Sequence, residues 1–546
     1  MRGRTRAMAV AAFTSVALVA TACSGGGGTT DPAASSGTGE GAAGGEITIR
    51  GCTPQEALLP GNTAEVCGGN VLDAIGAKLV HYNADTAAPE LDVAESIETT
   101  DNQNFTVKLK PYKFHDGTDV TAKSFVDAWN YTAYFPNGQG SSYFFTPIEG
   151  YADLQPADAA QKAKPKAEKM SGLKVVDDKT FTIKTSEPVS NLPVRLGYTA
   201  FSPLPESFFA DSAAYGKKPI GAGPFKVDTV SATEIVLSKF AEYSGAQKPS
   251  IDKVTFRIYN DGNAAYNDVV ANNLDFTDLI PADQLVGDAW KSDLDGRNTL
   301  AETGIIQTMT FAAKDEQFQK NPDLRKSISM AINRPEIIDK IFNGTRVAAT
   351  GWVSPVVDGY KPDVCGSACT FDAAAAKALY DKAGGYDGTL TLSVNGDGGH
   401  KPWADATCNS IKNALGLDCI VKITPDFKTL LDQAENGELK GIHRSGWQMD
   451  YPSIENFLAP LYGKGADSNY GKYDNPKFDA KLAEAAAAKT TDEANTLYQE
   501  AEAMLAVDMA VAPLWYSATP VGWSENVTDV KVTPFSTLDL STIKKK

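Results

Sequence analysis

The sequence predicts an α/β protein of two or three lobes, and three observations carry that expectation. Strand-like segments of period two alternate with helix-like segments of period 3.6 through the body of the chain. Its 546 residues exceed what one hydrophobic core can serve. A content of 42% hydrophobic and 22% charged residues is that of an ordinary globular protein.

The elements follow in order. Arg2, Arg4 and Arg6 precede an uncharged stretch, Ala7 to Ala22, and then Cys23. A basic start, a short apolar core and small residues before a cleavage point read as a secretory signal peptide over 1–22. Ala20-Thr21-Ala22-Cys23 resembles a bacterial lipobox, with Ala20 standing where leucine is usual. Cys23 is therefore expected to become a lipidated N-terminus that holds the protein to the extracytoplasmic face of the cell membrane; a plain secretory signal with a free cysteine is the competing reading. Residues 24–45 contain no aromatic residue and no Val, Leu or Ile, so with Cys23 they should form a flexible tether reaching about 25 Å.

EITIR at 46–50 is an expected opening strand, and FTVKLK at 105–110 and TFTIKT at 180–185 alternate with period two. FHDGTDV at 114–120 is a turn closed by Gly117, after which Thr121 caps a helix bearing Phe125, Trp129 and Ala133 at four-residue spacing. Asn321-Pro322 opens a helix that Arg334-Pro335 interrupts, and a second runs to Asn343-Gly344. Asn475-Pro476 starts another helix, and Thr490 with Glu493 makes a capping box before a helix whose buried stripe is Leu497, Ala501, Met504 and Leu505.

A formal charge of −17 argues against nucleic acid as a partner and against a basic membrane-binding face. Apart from Cys23, six cysteines fall as three near pairs: Cys52 and Cys67, Cys365 and Cys369, Cys408 and Cys419. Fifteen pairings are open to six cysteines, and the nearest-neighbour scheme is the economical one in an oxidising compartment. The rival is zinc, but the spacings lack a CxxC knuckle and only four histidines are present; neither metal nor cofactor is expected. No GxSxG elbow, HExxH helix or P-loop appears, and GAGPF lacks the lysine and helix start of a phosphate cradle, so catalysis is not expected.

Four blocks carry a family resemblance. LDVAESIETTDNQNFTVKLKPYKFHDGTDVTAKSFVDAW at 91–129, PIGAGPFKV at 219–227, LRKSISMAINRPEIIDKIFNG at 324–344 and GWQMDYPSIENFL at 446–458 stand in the same order as in the oligopeptide- and dipeptide-binding proteins of bacterial ABC importers, the extracellular solute-binding family 5. The resemblance implies a two-lobed periplasmic-binding-protein-like fold with a hinge between the lobes and an extra subdomain inserted in the first. Lobe I would take 46–80, 173–305 and 515–546, the inserted subdomain 81–172 and lobe II 306–514. The crossings would fall at 305–311 and 511–517. A monomer would capture short oligopeptides between the lobes and deliver them to a membrane-embedded ABC permease with its ATPase subunits. Relatives that bind oligosaccharides, nickel complexes or haem leave the cargo open, and peptide sensing would use the same binding event.

The resemblance also implies site residues. Asp450 stands where the family's aspartate anchors the peptide α-amino group, against the plainer reading that it caps a turn before Pro452 while Ser453 caps the next helix. Trp447 matches a tryptophan that lines a side-chain pocket, with core packing as the rival. Phe427 sits where some members have another pocket tryptophan, which makes this wall aromatic without an indole donor. Arg444 and His400 match positions that meet the peptide carboxylate; a surface ion pair and a plain loop residue are their alternatives.

Overall fold

The computed structural model describes residues 44–546 apart from 55, 64, 157–163, 260, 426 and 467. The signal segment, Cys23 and nearly all of the tether fall outside the described residues. Among those described, no helix is long and apolar enough to cross a membrane.

The opening strand occupies Glu46–Gly51 and pairs in parallel with Lys253–Ile258. Asn104–Leu109 and Thr180–Lys184 lie antiparallel, and Phe105, Val107, Phe181 and Ile183 bury one face of the pair. The intervening turn needs Gly117, whose φ of 85° is costly for any residue with a Cβ. Thr121 then caps the helix Ala122–Ala133 through a capping box completed by Ser124. Phe125, Trp129 and Ala133 are buried along it, and the Trp129 indole N–H donates to the Phe201 carbonyl at 3.0 Å, so the ring sinks without orphaning its polar edge.

In the C-terminal half, Asn321 and Asn333 cap two successive helices, Pro322–Met330 and Arg334–Phe342, and Asn343 ends the second in the left-handed conformation. Arg334 is almost fully buried and donates to the carbonyls of Pro513, Ser329 and Cys369, which binds the helix pair to the strand Val511–Trp523. Thr490 caps Thr491–Asp508. Glu493 reaches back to the Lys489 N–H at 3.1 Å, so the box closes one residue earlier than its spacing predicts. The six cysteines form three disulfides by nearest-neighbour pairing: Cys52–Cys67, Cys365–Cys369 and Cys408–Cys419.

One sheet of eleven strands runs through the molecule. Its order is Cys419–Thr424, Leu390–Asn395, Ile442–Gln448, Asn298–Phe311, Val511–Trp523, Phe276–Thr277, Glu46–Gly51, Lys253–Ile258, Glu234–Lys239 and Phe225–Val230, with Arg346–Ala348 paired to Val511–Trp523 outside that path. The two long antiparallel strands Asn298–Phe311 and Val511–Trp523 join its halves, and their register shifts between Glu302 and Ile306. The segments expected as crossings, 305–311 and 511–517, lie in these strands.

Separate cores flank the sheet. One gathers Met309, Phe311, Trp352, Trp403 and Trp515 in the C-terminal half, and another packs Ile47, Ile49, Phe225, Leu237 and Phe256 against the N-terminal strands. A third centres on Phe125, Trp129, Phe145, Phe181 and Phe201. It includes a four-stranded sheet, Ala94–Thr99, Asn104–Leu109, Thr180–Lys184 and Leu173–Asp177. The last two of these strands lie beyond residue 172, where the sequence places the end of the inserted subdomain; their ladder to Asn104–Leu109 carries the small sheet on to Lys184.

Candidate functional site

A cavity of about 840 Å³ opens between the halves, with Tyr82, Tyr143 and Tyr198 on the N-terminal side and Phe427, Trp447 and Asp450 on the other. The strand Ile442–Gln448 supplies its C-terminal wall. On one edge it pairs with Asn298–Phe311 along its whole length. On the other it meets Leu390–Asn395 only at Ile442 and His443, so from Arg444 onward no strand lies beside that edge among the described residues. Gly446, which lines the cavity, lets the backbones close up here: a Cβ would stand 2.7 Å from the Ile306 carbonyl.

Asp450 follows this strand directly. Its backbone N–H donates to Asn456 Oδ1 at 2.8 Å, and Asn456 Nδ2 donates back to its carboxylate at 2.9 Å. Tyr198 hydrogen-bonds the carboxylate from the opposite side of the cavity. Burial pushes the Asp450 carboxyl up to about 7, Glu455 adds repulsion, and the bonds from Asn456 and Tyr198 oppose the rise. No cation pairs with Asp450 among the described residues. Of the cations nearby, Arg195 is engaged by Glu455 at 3.1 Å and Lys78 by Asp73 at 2.7 Å.

Trp447 is half-buried on the same wall, its indole N–H donating to Asn456 Oδ1 at 3.0 Å. Arg444 lies over the Phe427 ring at 4.8 Å, and both line the cavity. Four of the five residues singled out from sequence thus share one cavity. His400 does not line it: the residue precedes the helix Lys401–Leu415, where its Nδ1 accepts from the Trp403 indole at 3.1 Å. Ser453 is not the helix cap that the plainer reading made it, because the helix Glu455–Tyr462 starts behind Ile454 without a side-chain cap.

Several groups around Asp450 escaped sequence reasoning. Asn456 is fully buried. Tyr82 and Tyr198 stand over the carboxylate from the N-terminal half, their hydroxyl pKa values raised well above the ordinary value by burial and then by the charge of Asp450. Glu455 accepts from Asn191 at 3.0 Å and from Tyr451 at 2.6 Å and pairs with Arg195, so a buried polar cluster ties the two sides of the cavity together. The one sequence hint was DYPSIEN, whose Glu and Asn fall in the first turn of a helix just after the candidate anchor.

Known proteins share this architecture. The family described as bacterial extracellular solute-binding proteins, family 5 middle, matches residues 88–469. The oligopeptide-binding protein OppA of Bacillus subtilis is 25% identical over 490 residues, 87% of this chain and 88% of its own length. A probable deoxycholate-binding periplasmic protein of Escherichia coli is 28% identical over 74% of this chain and 77% of its own. Among solved structures, the murein tripeptide binding protein MppA of Escherichia coli superposes with a TM-score of 0.78 at 22% identity, covering 92% of this chain and 99% of that one. Haemophilus influenzae OppA, in complex with the peptide RPPGFSPFR, does so at 0.74 and 22%, covering 93% and 100%. The architecture is therefore the two-lobed solute-binding fold with its cleft between the lobes, and this chain belongs to the bacterial extracellular solute-binding proteins of family 5.

Proposed function

We propose that this chain is the extracytoplasmic receptor of an ABC importer, and that it captures short oligopeptides in the interlobe cleft and hands them to a membrane permease. One observation carries the reading: Asp450 presents a carboxylate to the cavity with hydrogen-bond donors around it and, among the described residues, no cation paired to it. A free α-amino group supplies that cation, and the open edge beyond Arg444 offers main-chain hydrogen bonds that read a peptide backbone without reading its sequence. Trp447 and Phe427 would take side chains, and Arg444 the peptide carboxylate; His400, outside the cavity, has no part in this arrangement. A cargo without a cation would leave the ionised form of Asp450 unpaired.

The names of relatives that bind oligopeptides support the same reading. It is a binding role rather than a catalytic one, performed by a monomer, with Cys23 as the lipid anchor that keeps the receptor beside its permease. Lobes of 46–80, 173–305 and 515–546 against 306–514 would close about the crossings near 305–311 and 511–517. Calorimetry with tetra-alanine tests the anchor. Asp450→Ala should weaken binding about a hundredfold or more, as loss of one partner of a buried ion pair costs roughly 3–5 kcal/mol. Equal affinity for both proteins would remove the assignment.

A further inference from the structure

Asn456 makes three hydrogen bonds with one side-chain amide, and all three go to the cavity wall. Its Oδ1 accepts from the Asp450 backbone N–H at 2.8 Å and from the Trp447 indole N–H at 3.0 Å, while its Nδ2 donates to Asp450 Oδ2 at 2.9 Å. The side chain is fully buried, and Trp447 and Asp450 both line the cavity. Two N–H donors on one side and a carboxylate on the other leave the amide a single orientation, with oxygen toward the donors and nitrogen toward the acid. Aspartate would keep the acceptor and set a second carboxylate against Asp450. Leucine would remove all three bonds and leave the Asp450 N–H and the Trp447 indole N–H without this acceptor.

We propose that Asn456 is a positioning residue of the ligand site, fixing the Asp450 carboxylate and the Trp447 indole at a set distance from one another, so that one buried amide registers the ligand's amino group against the side-chain pocket beside it. The proposal rests on the peptide reading above. Asn456 lies in the first turn of Glu455–Tyr462, next to Glu455, which Arg195 and Asn191 of the N-terminal half hold by direct contact. The helix start that carries the amide is thus itself held by a segment of the N-terminal half. Other charged or titratable groups facing Asp450 are Glu455, Tyr82, Tyr198 and Tyr451, with Asp73 beyond them paired to Lys78. Each of them stays in place in the variants below.

The test measures binding of tetra-alanine and of N-acetyl-tetra-alanine to the full chain between about pH 5 and pH 7.5, where the free peptide amine stays largely protonated. In Asn456→Asp the two facing carboxylates share one proton and keep a net negative charge at about pH 6, so the fall in free-amine affinity that wild type shows below about pH 7 should flatten. The acetylated peptide, which gives the anchor nothing to pair, should bind this variant as it binds wild type. Asn456→Leu also frees the indole, so it should weaken both peptides, and Trp447→Phe added to it should cost less than Trp447→Phe costs in wild type. Should Asn456→Asp fail to fold, the Leu variant and its cycle with Trp447→Phe decide alone. An Asn456→Asp protein that binds both peptides as wild type does, or loses both by one factor at every pH, would overturn the proposal, as would additive Leu and Phe effects. A wild type that binds neither peptide would overturn the peptide reading and the proposal with it, whereas the other negative results leave that reading standing.

Discussion

Asp450 titrates near neutrality because burial removes its solvation and Glu455 repels its charge, while the hydrogen bonds from Asn456 and Tyr198 restore only part of the loss. An ammonium group arriving beside it would favour the charged form and lower its pKa. Ligand binding should therefore expel a fraction of a proton near pH 7, and affinity should fall by up to about tenfold for each pH unit below that point, since the empty carboxyl must lose its proton first. Calorimetry in buffers of different ionisation heat measures the proton directly. Heats independent of buffer, with an affinity flat from about pH 5 to 8, would contradict this account of Asp450.

The short helix Leu192–Arg195 and the helix Glu455–Tyr462, from the two halves of the molecule, meet through the buried pair Arg195–Glu455, with Asn191 and Tyr451 completing the hydrogen bonds of the carboxylate. Such a pair owes its place to mutual compensation, because each charge alone would be stranded in a poorly solvated position. Arg195→Met should cost about 3 kcal/mol in urea-unfolding free energy. The double variant Arg195→Met with Glu455→Leu should recover most of that loss, because apolar replacement of both partners is close to neutral. Additive losses in the two single variants would mean that the pair contributes nothing as a pair. The helices themselves were readable in advance where a cap and a stripe coincided, as at Thr121 with Phe125 and Trp129. The Leu192–Arg195 helix, a single turn with no side-chain cap, leaves no such trace in the sequence.

Two buried histidines and two buried carboxyls set opposite pH slopes for the whole molecule. Burial lowers His115 and His443 to about 4, so between that value and the ordinary histidine value the unfolded chain binds more protons. Their contribution to stability is present above about pH 6.5 and is lost as pH falls through 4. Burial raises Asp450 and Glu502 to about 7, so here the folded chain binds more protons. That contribution is present below the ordinary carboxyl range and is lost as pH rises through 7. Each group tilts the curve by up to about 1.4 kcal/mol per pH unit where its window is open, and from about pH 4.5 to 6.5 the tilts offset. Unfolding free energy should be nearly flat there in wild type. Glu502→Gln should make it rise with pH by about 1 kcal/mol per unit; an unchanged slope in that variant would refute the balance. What the chain could announce about itself was local: the capped helices, the period-two strands, the three short-range cysteine pairs, and an aromatic and acidic run at Trp447 to Asp450 that matched a family. The placing of Tyr198 and Arg195 around that run depends on contacts between segments hundreds of residues apart, whereas Asn456 bonds Asp450 from within the same turn and helix start, and His400 bonds the nearby Trp403. Periodicity and capping report which face of an element is buried, and only the packing of one element on another decides which buried polar atoms find each other.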